Sequence, residues 1–246
     1  MLTLLTGPVS DRNLFDMMME LMIVGRTRLY AVFERPRLPV RAGIVCLGMV
    51  MMLCLGGALA FAQGRFTEVL VSVVKNKVVA VNGVGPSEID LGVGEIVVST
   101  KAFGLTGLAI TSTRLLGFSS QLRHWGEQPL SVDEHVNRSE VLRELSVVST
   151  DRSLYGFQET LAHWTTESLG MSEKVRELRA HGHVALVVTT ERVVAFSAFM
   201  SRFHAMPLQG DELIQGIENT GDAILVKTSR RTVMFRSRIS GWTEMR

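Results

Sequence analysis

Short apolar runs and polar triplets alternate along this chain at a fixed interval. Thr111, Thr150, Thr189 and Thr228 stand 39 residues apart, and so do Phe118, Phe157, Phe196 and Phe235. The aromatics Trp125, Trp164, Phe203 and Trp242 keep the same interval, as do Leu91, Leu130, Leu169 and Leu208, and Val97, Val136, Val175 and Ile214. Independent columns at one period are the mark of a repeat architecture. Leu70 to Val81 (LVSVVKNKVVAV) matches Ala185 to Phe196 (ALVVTTERVVAF) and adds an earlier copy, so five units begin near Leu70, Gly107, Ser146, Ala185 and Ile224.

Each unit predicts four short strands. The first is a continuous apolar run (LVSVV, LAIT, SVVST, ALVVT, ILVKT). A polar triplet such as Lys75-Asn76-Lys77 or Thr190-Glu191-Arg192 then turns the chain into a second β-rich run. The third strand carries the aromatic column, and the fourth is mixed, as in EKVREL. A helix is excluded because the runs are short and β-branched and the triplets break any 3.6-residue period. A strand that is apolar throughout must be covered on both faces. One unit cannot cover itself, so the units must stack. The expected fold is all-β: a five-bladed β-propeller of four-stranded blades. The first strand of each unit is expected at the centre and the fourth outside. The last unit stops before a fourth strand, and Arg65 to Val69 (RFTEV) is expected to supply it and seal the ring. An open array is the competing arrangement.

The pattern resembles β-propeller repeat proteins. It is similar in blade number and size to five-bladed tachylectin-type lectins and in unit length to WD40 proteins. The Trp-Asp dipeptide of WD40 units is absent, since Gly126 follows Trp125 and Thr165 follows Trp164. No functional residue of either group carries over.

A different pattern precedes the repeats. Ala42 to Ala62 is a run without charge, flanked by Arg35, Arg37 and Arg41 and ending in Ala60-Phe61-Ala62. This is the form of a secretory signal cut before Gln63, and its length also suits an uncleaved membrane anchor; either is expected to be helical. Three segments follow: 1–41, a basic leader that reads as an over-extended start; 42–62, a signal h-region or anchor; and 63–246, the propeller. The propeller is then expected to be exported, periplasmic or extracellular. Both cysteines, Cys46 and Cys54, lie in the apolar run, so residues 63–246 have no disulfide and no cysteine ligand for zinc. With 20 basic and 20 acidic residues, that segment has no charge excess to attract nucleic acid. Membrane association is expected through the N-terminal segment only.

Candidate chemistry is sparse. The first strands of the units hold no Asp or Glu, which argues against a glycosidase with paired carboxylates. His124 and His163 occupy equivalent positions before Trp125 and Trp164, and these four residues are the candidate ligand-binding set. The simpler reading is an exposed histidine beside a structural aromatic. His181-Gly182-His183 reads as a turn, and no metal or cofactor is expected. Arg230, Arg231, Arg236 and Arg238 form a basic cluster whose default is a solvated face. The expected function is a non-enzymatic binding or interaction module with a protein or glycan partner. A lectin-like propeller is the alternative and a glycoside hydrolase the remotest reading. Arg202 and Gly241 replace the two histidines in the last units, which weakens the lectin reading.

Overall fold

The computed structural model describes residues 68–220 and 222–245. The expected leader, the apolar run 42–62 and residues 65–67 lie outside them. The described chain is all-β, with one turn of 3-10 helix at Glu159–Leu161. Five antiparallel sheets follow in chain order, as expected of β-propeller blades. Blade 1 is β1 (Leu70–Val74), β2 (Lys77–Asn82) and β3 (Gly85–Asp90). Blade 2 is β4 (Val97–Phe103), β5 (Thr106–Thr111), β6 (Arg114–Ser119) and β7 (His124–Pro129). Blade 3 is β8 (Val136–Val141), β9 (Leu145–Thr150), β10 (Ser153–Gln158) and β11 (His163–Ser168). Blade 4 is β12 (Val175–His181), β13 (Val184–Thr189), β14 (Arg192–Ser197) and β15 (Met200–Pro207). Blade 5 is β16 (Ile214–Thr220), β17 (Ala223–Thr228), β18 (Thr232–Arg236) and β19 (Trp242–Met245).

The phase of the sheets differs from the phase of the repeat. The fourth strand of each sequence unit pairs with the first strand of the next unit: β4 with β5, β8 with β9, β12 with β13 and β16 with β17. The apolar first strands therefore lie one in from an edge. This explains why β5, β9 and β13 are buried at every position. The last blade is complete, and it is the first that has three strands among the described residues. Val69 does not run to the last blade: its N–H donates to the Gly104 carbonyl at 2.9 Å, in the β4–β5 turn of blade 2.

Four hydrophobic clusters hold the stack, one at each junction between consecutive blades. Val78 and Ala80 meet Leu116 and Phe118; Leu108 and Leu115 meet Val148 and Phe157. Leu145 and Val147 meet Val187 and Phe196; Leu186 and Ala195 meet Val226 and Phe235. Among the described residues no such cluster joins blade 5 to blade 1. Among the described residues the outward faces of these two blades are uncovered at several positions: Leu70, Val74 and Val81 are exposed on one, around a buried Val79, and Leu225 and Met234 are half-buried on the other.

Candidate functional site

One end of the stack is organised by a motif repeated in four turns. Glu95, Glu134, Glu173 and Glu212 stand 39 residues apart, each four residues after the leucine column. Each carboxylate accepts from the backbone N–H three residues earlier, at Gly92 (2.7 Å), Ser131, Gly170 and Gln209 (2.9 Å each). It also meets a hydroxyl of the threonine column: Thr111 to Glu95 at 2.5 Å, and Thr150 to Glu134 and Thr228 to Glu212 at 2.6 Å. Arg114, Arg192 and Arg231 complete the set, with Nε at 2.9, 2.8 and 3.0 Å from Glu95, Glu173 and Glu212. In blade 3 the arginine position is Ser153. There the Tyr155 hydroxyl donates to Glu134 at 2.9 Å instead. Each arginine also reaches back to a carbonyl at the end of the preceding blade, at Asp90, Ser168 and Pro207. Burial alone would raise these carboxyls; the hydrogen bonds and cations outweigh it and hold Glu95 and Glu212 down to about 2. In Tyr155, burial and then the Glu134 carboxylate push the phenol up to about 12. Sequence reasoning missed this glutamate column, although its interval equals that of the threonines it binds.

The motif fixes turns whose tips carry apolar side chains into solvent. Val93, Val132 and Met171 occupy the third position of successive turns, and all three are exposed, as are Ile96 and Leu213 nearby. Beside this ridge, each strand that follows a turn carries a register shift at its start: between Val97 and Ser99, Val136 and Arg138, Val175 and Glu177, and Ile214 and Gly216. A bulge re-aims the side chains around it. Arg176 is the extra residue of its bulge and Arg138 follows Asn137 in another. Both line a cleft of about 690 Å³ whose floor includes Val188, Leu208 and Ile214. Neither arginine side chain makes a hydrogen bond or ion pair among the described residues. A second cleft of about 410 Å³ shares Arg138 and extends the groove along β4 and β8 past Lys101.

The sequence-selected candidates fall elsewhere. His124 and His163 are exposed, while Trp125 and Trp164 are 6% and 5% exposed. Each indole packs on a phenylalanine of its own blade with ring centroids 5.1 Å apart. Its N–H is taken by the preceding blade: Trp125 by the Ser87 carbonyl at 3.3 Å and Trp164 by that of Gly126 at 3.0 Å. His181 ends β12, and Gly182 turns the chain with φ 58°. His183 Nδ1 lies 3.1 Å from Glu144 Oε2. No group of three metal-ligating side chains is found among the described residues. The basic cluster is split: Arg231 binds Glu212, Arg230 pairs with Asp211, Arg238 lies 4.4 Å from the Phe199 ring centroid, and Arg236 is exposed. The absence of acids from the first strands does not extend to the sheet edge, where β8, β12 and β16 carry Glu140, Glu177 and Glu218.

No family model and no curated protein matches the sequence. Similar solved structures are β-propeller proteins. The N-terminal domain of Nup159 matches at TM-score 0.33 and 9% identity, over 72% of this chain and 57% of that one. Prp20p from Saccharomyces cerevisiae matches at TM-score 0.37 and 9% identity, over 68% and 55%. Hsv2p from Kluyveromyces lactis matches at TM-score 0.36 and 10% identity, over 72% and 59%. The chain thus spans a little over half of each of these proteins, and the likeness concerns the arrangement of strands alone.

Proposed function

We propose that this chain is an interaction scaffold of the cell envelope, exported or anchored by the apolar run 42–62. It binds a protein partner along the turn ridge and the groove beside it. The observation that carries this reading is the juxtaposition of exposed Val93, Val132 and Met171 with the unpaired cations Arg138 and Arg176. A rigid motif presents apolar tips to water at regular intervals, which costs free energy unless something covers them. The groove next to them offers charge-assisted hydrogen bonds without partners in the chain. An extended segment bearing carboxylates and small apolar side chains fits both features. The reading does not involve catalysis.

The test is a photo-crosslinking residue in place of Met171 in the full chain, expressed in its host. A discrete crosslinked protein, lost when Arg138 and Arg176 are both changed to Glu, supports the scaffold. Absence of any crosslinked protein, together with saturable sugar binding at several equivalent sites, would replace it with the lectin reading. His124 and His163 are the accessible groups with which that reading would begin.

A further inference from the structure

We infer that the open face of blade 5 in one copy of the chain binds the open face of blade 1 in a second copy, head to tail. The inner junctions follow one rule. A phenylalanine of each blade seats over a small residue of the blade before it. Phe157 lies over Gly117 and Phe196 over Gly156, where an added Cβ would come within 2.4 and 2.6 Å of the rings. Phe118 shares a buried cluster with Ala80, and Phe235 with Ala195. At the two ends the rule is inverted. Blade 5 has Met234 where the others have glycine or alanine, and blade 1 has Val81 where the others have phenylalanine. A large side chain on one end face is therefore matched by a smaller one on the other. Met234 sits between Leu225 and Thr243, and Val81 between Leu70 and Pro86.

The polar ladder between blades gives independent support. Asn82 donates to the Ser120 side chain at 3.1 Å, Ser119 to Glu159 at 3.1 Å, Gln158 to the Ala198 carbonyl at 2.6 Å, and Ser197 to the Ser237 carbonyl. Each donor ends the second strand of a sequence unit and reaches the turn that follows the same strand in the next blade. Arg236 is the next donor in this series; its side chain is exposed and makes no hydrogen bond among the described residues. The matching turn in blade 1 is Asn82 to Gly85, which has no blade before it. Charge agrees in sign as well. Lys227 and Arg236 outnumber Glu218 on the blade 5 face, and Glu88 and Asp90 outnumber Lys77, which pairs with Glu88 at 2.8 Å, on the blade 1 face. Among the described residues of one chain the two faces share no packed cluster, which favours a second copy over self-closure. Such a heterologous contact builds a ring or a filament.

The experiment uses full-length chain in mild detergent with Cys46 and Cys54 changed to Ser. One tagged chain carries Val81→Cys and a differently tagged chain carries Met234→Cys. The expected result is a disulfide joining the two tags on oxidation, with sedimentation that depends on concentration and reverts to monomer in the Met234→Glu variant. A single chain carrying both cysteines that crosslinks internally at high dilution would overturn the proposal in favour of ring closure. A monomer that forms no disulfide at any concentration would overturn it as well.

Discussion

The ring of Phe157 occupies the space above Gly117 that any other residue would fill with its Cβ, which would lie 2.4 Å from the ring. Gly117 is in the middle of β6, where a glycine normally weakens a strand. Here it lets the next blade approach. Gly117→Ala should therefore destabilise the fold by about 1–3 kcal/mol, because the ring and the backbone must separate. Gly216→Ala is the control: nothing lies within 4 Å of its added Cβ, so its effect should stay within about 0.5 kcal/mol. Denaturant melts of both variants measure the difference. Equal midpoints would mean that blades 2 and 3 are not packed this closely.

The buried Glu212–Arg231 pair ties the 209–213 turn to the β17–β18 hairpin. Glu212→Gln should cost about 3 kcal/mol at neutral pH, because Arg231 then loses its counter-charge in a mostly buried position. The same group predicts an acid transition. Its carboxyl is held at about 2 in the fold, against about 4.3 when unfolded. The stability it contributes is complete above the unfolded value and is lost as pH falls from there through about 2. Glu95 behaves alike, and Glu134 and Glu173 are lowered in the same direction. Urea midpoints should thus fall steeply below about pH 4.5 in the native chain and less steeply in Glu212→Gln. A parallel decline in the two would place this stabilisation elsewhere.

Trp164 and His163 are neighbours with opposite surroundings. Trp164→Phe removes the bond to the Gly126 carbonyl and should cost about 1 kcal/mol, while Trp164→Ala should cost roughly 3–5 kcal/mol through the cavity it leaves. His163→Ala, on the exposed side, should leave the melt within about 0.5 kcal/mol of the parent. A Trp164→Ala melt that hardly moves would return this aromatic to the list of ligand-binding candidates.

The repeat was legible because every junction reuses one contact, so Phe118, Phe157, Phe196 and Phe235 recur at one interval. The sheet phase was not. Strands β4 and β7 are both half-polar, and backbone pairing leaves no mark on side chains that would say which neighbour the fourth strand joins. Glu95, Glu134, Glu173 and Glu212 were visible as a column but lie in polar turns. Their meaning depends on Thr and Arg partners 16 and 19 residues further on, across a strand pair. The exchange of arginine for Ser153 with Tyr155 hides the pattern further. The groove could not be read at all, because the register shifts that aim Arg138 and Arg176 are produced by the backbone.

Glu159 is the counterexample to the acid-sensitive glutamates. It is fully buried in the turn between β10 and β11. One carboxyl oxygen accepts from Ser119 at 3.1 Å and from the Gln121 N–H at 2.8 Å. The other has no hydrogen-bond partner. Burial pushes this carboxyl up, more than its two hydrogen bonds pull it down, and the nearby Glu144 adds to the rise. A raised value reverses the sign of the linkage: the folded state favours the protonated form. Stability from this group is complete below about pH 4.3 and is lost as pH rises through the folded value. Glu159→Gln keeps an acceptor for Ser119 and Gln121 and replaces the unpartnered oxygen with an amide that cannot ionise. The variant should match the parent near pH 4 and melt at a higher denaturant concentration at pH 7 and above. Equal midpoints at both pH values would show that Glu159 is already paired and charged in solution, and a lower midpoint at pH 7 would show that its charge is required.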